Sequence, residues 1–171
     1  MRKAYIVCGS PGSGKSHYGR QLASERHAVL LDIDSVTERL VRAGLTLAQK
    51  DPEDRDSGTF KETFRLPIYD TLFDIARENL PWNNVVIVGP FTQELQNPEW
   101  PSELSKKLEN PVEVHYVYCA PEIRKERLSR RANPRDNAKL RDWQHHIQYY
   151  GTEEPPNFPH VYIDTSKLQE T

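Results

Sequence analysis

The run Gly9-Ser10-Pro11-Gly12-Ser13-Gly14-Lys15-Ser16 fills every position of the pattern G-x-x-x-x-G-K-[ST]. The residue types account for the chemistry such a run performs. Glycine lets the backbone curl until successive N–H groups converge, and the point of convergence suits a phosphate. A lysine after the last glycine adds a charge for the β- and γ-phosphates of a nucleoside triphosphate, and the serine beside it adds a hydroxyl for Mg²⁺. Gly9, Ser10, Pro11, Gly12, Ser13, Gly14, Lys15 and Ser16, with His17 after them, are the expected nucleotide-binding residues. Mg·ATP is the expected cofactor. The setting is right as well: an apolar, strand-like run (Ala4–Cys8) precedes the glycines and a helical pattern from Lys15 to about Glu25 follows.

Two carboxylates, Asp32 and Asp34, follow the apolar run Ala28–Leu31. Parallel sheets bind ligands beyond the carboxyl ends of their strands, so both acids are expected on the phosphate side. Extended geometry would point them the same way. A phosphoryl transfer needs a carboxylate that orients the acceptor hydroxyl and takes its proton, and acidic help around Mg²⁺. Asp34 is the candidate for the first task and Asp32, with Ser16, for the second. Asp34 is also placed to cap the next helix. Arg39 is either a contact for an anionic substrate or a solvated arginine.

A third group of charges lies at 124–135. Arg124, Arg127 and Arg131 follow i, i+3, i+7 and share one helix face, with Arg135 beyond them. Arginine above a nucleotide stabilises the charge that builds on a transferring phosphoryl group, and its planar fork suits phosphate. The competing reading is a solvated basic face paired with Glu122 and Glu126.

The elements that must position these groups alternate. Ala4–Cys8, Ala28–Leu31, Val85–Val88, Val112–Cys119 and His160–Ile163 read as strands. Lys15–Glu25, Asp34–Ala43, Ile68–Leu80, Pro121–Arg131 and Asp136–Tyr150 read as helices. Such alternation implies an α/β three-layer sandwich around a parallel sheet of about five strands. Val36 and Leu40 are the expected core face of the second helix. The alternation within Val112–Cys119 predicts one wetter face. Residues 44–59 are polar and unassigned, and 93–101, with two prolines, reads as a surface connection.

Bulk properties limit the function classes. The chain has 171 residues, a length suited to one domain, with 36% apolar and 28% charged residues. No apolar run approaches the ~20 residues of a membrane helix, so a soluble, cytoplasmic protein is expected. The net charge of −2 lacks the basic excess usual for duplex nucleic-acid binders. Cys8 and Cys119 end apolar runs and read as reduced core residues.

Together these pieces resemble the small P-loop kinases near polynucleotide kinase, zeta toxin, chloramphenicol phosphotransferase and gluconate kinase, often grouped with AAA-type ATP-binding proteins. The matching segments are Gly9–Ser16, Leu31–Asp34, Val85–Phe91 and Cys119–Trp143. The resemblance implies a P-loop NTPase domain over 1–171, with a helical lid at about 128–138 and a substrate-side insertion at about 44–66. It implies that Asp34 activates the acceptor hydroxyl, that Arg127 and Arg131 are lid arginines joined by Arg135, and that Thr165 lies near the adenine. Pro90 and Phe91, at the end of a central strand, are expected beside the acceptor; Phe91 either stacks on a ring or packs. Two departures stand out. The third strand ends in Gly89 where a Walker B motif has aspartate, and Thr37 stands where polynucleotide kinases carry an arginine for a 3′-phosphate.

The expected activity is transfer of the γ-phosphoryl group to a hydroxyl of a small acceptor. A 5′-hydroxyl polynucleotide or nucleotide kinase, acting on a nucleic-acid 5′ end, is the second reading. A nucleotide-binding regulatory module with weak ATPase activity is the third. The acceptor and the oligomeric state are not legible in the sequence.

Overall fold

The computed structural model describes residues 1–149 and 154–167. The five apolar runs form five parallel strands: β1 (Ala4–Cys8), β2 (Ala28–Asp32), β3 (Asn84–Val88), β4 (Val112–Tyr118) and β5 (Val161–Asp164). Their order in the sheet is β2-β3-β1-β4-β5. The two strands that carry the glycine run and Val85–Val88 are thus central, paired Ala4 to Val85 through Val7 to Val88. Both are buried on both faces, which is why they read as unbroken apolar runs.

Period-2 alternation sorts the core into two layers. Ile6, Cys8, Ile87 and Tyr116 point to one face, covered by α2 (Ile33–Leu47), α3 (Gly58–Asn79) and α4 (Trp100–Leu108). Tyr5, Val7, Val86 and Val88 point to the other, covered by α1 (Lys15–Glu25). Gly19 lets α1 approach closely: a Cβ there would stand 2.4 Å from Val88 Cγ2. Beyond β4 come α5 (Pro121–Arg131), a 3₁₀ turn at Pro134–Asp136, α6 (Asn137–Arg141) and α7 (Trp143–Tyr149).

Several expectations are corrected. The buried face of α2 is Thr37, Val41 and Leu45, whereas Leu40 is exposed. α3 starts ten residues before Ile68 and runs through Pro67, whose ring reads locally as a helix boundary. Its true start is capped by Ser57 Oγ, which accepts from Phe60 N at 3.0 Å. Of the unassigned 44–59 segment, 44–47 extend α2 and 58–59 open α3, and the ten residues between them form the connection. α4 overlaps the expected 93–101 connection only at Trp100 and Pro101 and otherwise occupies a stretch with no assignment from sequence. Pro101 sits in its first turn, where the missing N–H removes no helical bond, and Trp100, Leu104 and Leu108 are buried. The single helix expected over Asp136–Tyr150 is broken at Asp142, whose Oδ1 accepts from His145 N at 3.2 Å; Tyr150 lies outside the described residues. His115, expected on a wet face of β4, is buried, with its ring nitrogens 2.8 Å from Tyr18 Oη and 3.0 Å from Glu113 Oε1. Both cysteines are buried free thiols, as expected. No helix among the described residues is long and apolar enough to cross a membrane.

Gly19→Ala tests the α1–β3 contact. Val88 is fully buried and β-branched, so it cannot swing aside. Overpacking, less the gain from alanine's helix propensity, should cost about 1–2 kcal/mol in urea unfolding.

Candidate active site

The glycine loop joins β1 to α1, and its backbone angles follow from its glycines. Gly12 and Gly14 have φ of 80° and 88°, left-handed values that side chains rarely adopt, and Gly14 is the residue from which α1 starts. A loop whose N–H groups face inward must turn carbonyls outward, into protein. Each finds a donor. Arg124 Nη1 donates to Pro11 O at 3.3 Å, and Arg127 Nη1 reaches Gly12 O at 3.4 Å. Thr165 Oγ1, just past β5, donates to Ser13 O at 2.6 Å. Arg127 also donates to Thr165, at 3.0 Å to Oγ1 and 2.8 Å to the carbonyl oxygen.

Inside the loop the polar groups lack protein partners of comparable quality. Ser13 Oγ is buried without a hydrogen bond. Lys15 Nζ has a long contact of 3.4 Å to Ser10 O. Burial pushes the Lys15 ammonium down to about 8, against the pull of Asp34 and Asp32, with Arg131 and Arg135 adding to the lowering.

Lys15 and Ser16 form part of the wall of a cavity of about 220 Å³. Asp32 and Asp34 lie on the same wall, but not as two residues of a strand. The chain turns helical at Ile33, so Asp32 is the cap of α2, its Oδ1 accepting from Asp34 N at 3.0 Å. The capping task considered for Asp34 thus falls to Asp32. That leaves the Asp34 side chain for the cavity.

Asp34 meets the lid there. Arg135 grips it with two hydrogen bonds, 2.8 Å to Oδ1 and 2.5 Å to Oδ2. Burial alone would push the Asp34 carboxyl up, but the Arg135 bonds and charge, with Lys15 and Arg131 behind them, hold it below the usual carboxylate range. The lid segment is tied elsewhere by Lys139 Nζ to Asp56 Oδ2 at 2.9 Å. Arg131 is bound by two contacts to Asp136, at 2.6 and 2.8 Å. Arg131, Arg135, Asp136 and Lys139 thus line one side of the cavity.

Not every candidate reaches this cavity. Lys15, Ser16, Pro11, Pro90, Arg131 and Arg135 do. Arg127 and Thr165 do not: they are buried behind the loop and hold it. His17 and Arg39 are exposed and off the wall. Phe91 is fully buried, with its ring centroid 4.9 Å from that of Tyr69 and 5.3 Å from that of Trp100, so packing is the arrangement found. Sequence reasoning named no site residue on the far wall, although Arg55, Phe60, Lys61 and Arg65 lie within the 44–66 stretch that the resemblance sets on the substrate side. Phe60, Lys61, Arg65, Ile68 and Tyr69 come from one face of α3, with Arg55 just before it. The i, i+4, i+7, i+8 spacing of Lys61, Arg65, Ile68 and Tyr69 carried that signal, hidden by the apparent helix start at Ile68.

Comparison with known proteins agrees with this layout. A family profile described as an AAA domain matches residues 5–154. No curated protein matches the sequence significantly. Among solved structures, a Chloroflexus aurantiacus protein proposed to be a kinase superposes with a TM-score of 0.68 at 17% identity, covering 99% of this chain and 91% of its own. A sugar kinase from Janibacter superposes with a TM-score of 0.61 at 16% identity, over 96% of this chain and 85% of its own. A gluconokinase from Sinorhizobium meliloti gives 0.54 at 14% identity, over 99% and 86%. At such identities the likeness is one of fold.

Thr165→Val should leave Ser13 O without its donor, at a cost of about 1–3 kcal/mol in unfolding free energy. It should also weaken binding of a fluorescent nucleotide, whereas Thr165→Ser keeps the hydroxyl and should keep both properties. Equal stability and affinity in all three proteins would show that the loop does not rely on this tie.

Proposed function

Because the chain belongs to the AAA-domain family of P-loop kinase-like proteins, we propose that it moves the γ-phosphoryl group of Mg·ATP to a hydroxyl of a small molecule. The observation that carries this reading is a juxtaposition. Lys15 and Ser16 of the phosphate loop, the Asp34 carboxylate and the lid residues Arg131 and Arg135 line one cavity.

The residues fit the nucleotide. A curled loop, an orphaned Ser13 hydroxyl and a half-buried ammonium with one long hydrogen bond are what a polyphosphate would complete. Gly9 to Ser16 would cradle the phosphates, with Lys15 as their counter-charge. Ser16 and Asp32 would offer oxygens to Mg²⁺, which takes its other ligands from phosphate and water. Among the described residues no group of three or more His, Cys, Asp or Glu could hold a metal ion. When bound, the triphosphate supplies the γ-phosphoryl group, its bond to the bridging oxygen breaking as the acceptor oxygen bonds to phosphorus.

The chain's own residues would do the rest. Asp34 would orient the acceptor hydroxyl and take its proton on a carboxylate oxygen. For that its bonds to Arg135 must be exchanged, and phosphate oxygens offer Arg135 an equivalent bidentate partner. Arg131 and Arg135 would then face the charge on the transferring group. The lid over the cavity would limit access of water. Arg127 would act indirectly, by keeping the loop in shape from behind.

The nucleic-acid reading gains no support from Thr37. Its hydroxyl donates to Ile33 O at 2.7 Å and it brings no charge for a 3′-phosphate.

ADP release from Mg·ATP, with pools of small hydroxyl compounds and with 5′-hydroxyl oligonucleotides, tests the reading. One small-molecule pool should stimulate release. Asp34→Asn should lower that stimulated rate by about 10²- to 10⁴-fold while nucleotide affinity stays within a few-fold. Stimulation by the oligonucleotides alone would favour the nucleic-acid reading. Tight nucleotide binding with no stimulation, and no difference between parent and variant, would point to a regulatory nucleotide-binding module instead.

A further inference from the structure

The cavity wall is far more basic than the protein that contains it. Cationic side chains outnumber carboxylates on it seven to four, in a chain whose net charge is −2. Lys15, Arg131 and Arg135 are accounted for by the triphosphate. Arg55, Lys61 and Arg65 are not, and they come together from another part of the chain, the approach to α3 and its first two turns.

Their arrangement gathers positive charge on one wall of the cavity. Like charges gather where α3 begins, at the positive end of its dipole, and no acid stands in its first turn to offset them. Two of the three are also held in place. Arg55 lies over the Phe60 ring and Arg65 over the Tyr69 ring, each guanidinium 5.4 Å from the ring centroid. Stacking fixes the plane of the fork and leaves its edges for oxygens. Arg55 donates through Nη2 to Glu38 at 2.7 Å and through Nη1 to the carbonyls of Pro52 at 3.0 Å and Asp54 at 2.6 Å, while Arg65 is bound to Glu94 at 2.6 Å. Arg65 spends one guanidinium nitrogen, Nη2, on one Glu94 oxygen, and the other oxygen of Glu94 is buried without a hydrogen bond. A guanidinium has five N–H donors, so the bonds of Arg65 to Glu94 and Tyr69 leave it able to bind a second oxyanion.

We propose that the acceptor is itself an anion, a small hydroxyl compound bearing a carboxylate or phosphate, and that Arg55, Lys61 and Arg65 on the α3 wall bind that charge. This rests on the phosphotransferase reading of the same cavity. It also makes use of the apolar part of the wall: Ile68, Val41 and the edge of Phe60 can cover the carbon skeleton between the two ends. Arg39, the residue considered from sequence for an anionic substrate, is exposed, and the α3 wall takes that task.

Calorimetric titration of the protein saturated with a non-hydrolysable Mg·ATP analogue tests the proposal. The probes are matched: glucitol, gluconate and glucose 6-phosphate; ribose and ribose 5-phosphate. Charged members should bind at least about tenfold tighter than their neutral counterparts, and the carboxylate and phosphate arms show which oxyanion is preferred. Lys61→Met and Arg65→Met should each weaken binding of the charged probes about 10- to 100-fold, with Arg65→Lys recovering part of it. Glu94→Gln, which removes the competing charge from Arg65, should tighten it several-fold, a change that misfolding cannot mimic. Equal binding of neutral and charged members overturns the proposal, as does charged-probe affinity that the three wall variants leave unchanged, or the absence of charged-probe binding. The two readings separate cleanly. Binding of charged probes with no phosphoryl transfer to any compound would sink the kinase reading and leave the anion subsite. Transfer to a neutral acceptor, with the wall variants silent, would do the reverse.

Discussion

The outward carbonyls of the phosphate loop are the constraint on which the rest depends. A loop that turns its N–H groups toward a ligand must turn its C=O groups away, and here they turn into the protein interior. Pro11, Gly12 and Ser13 each have a carbonyl satisfied by a side chain more than 100 residues away, from α5 or the end of β5. Arg124 can do this because it is fully buried yet supported, its guanidinium over the Trp143 ring at 5.4 Å and its Nε on Cys119 O at 3.2 Å. The sheet order puts β4 and β5 on the α5 side of the loop, which is why these donors arrive there.

The opposite side of the cavity is built on exchangeable charge. α2 brings Asp34 and Glu38, the lid brings Arg135 and Lys139, and the approach to α3 brings Arg55 and Asp56. Glu38 is shared between Arg55 at 2.7 Å and Arg135 at 3.4 Å, so the lid and the α3 approach are linked through α2. These pairs line the cavity or stand beside it, and an oxyanion bound there offers their arginines an equivalent partner. A rear made of buried hydrogen bonds and a front made of exchangeable ion pairs would suit the proposed transfer, in which phosphates are held and an acceptor is admitted.

The fold was legible where pattern and burial coincide. Unbroken valine and isoleucine runs located β1 and β3, and the central position of those strands in the sheet is the reason they are unbroken. Prolines misled in both directions. Pro67 lies inside α3 and hid its first ten residues, while Pro101, in the first turn of α4, drew that turn's first two residues into an expected connection. A proline's local preference cannot say which of these contexts it occupies, since packing decides whether the lost hydrogen bond is tolerated. Asp142 shows the converse: a helical stripe continued past it, yet its side chain captured the next turn's N–H and split the helix.

By itself the sequence determined the phosphate loop and the two acids after β2, because each is a matter of adjacent residues: eight positions make the curl, and a strand end followed by Asp-Ile-Asp puts carboxylates on the ligand side. Only the tertiary structure decided which arginine does what. Arg127 and Arg131 share a helix face in the sequence, yet Arg127 turns into the protein to hold Gly12 and Thr165 while Arg131 stays at the cavity with Asp136. It also decided that Arg135 meets Asp34, across 101 residues of chain, and that the stretch from Arg55 to Arg65 forms a basic wall. The physical reason is the same in each case. A side chain's partner is set by the packing of whole elements, and a helix pattern specifies which residues share a face but not what that face will meet.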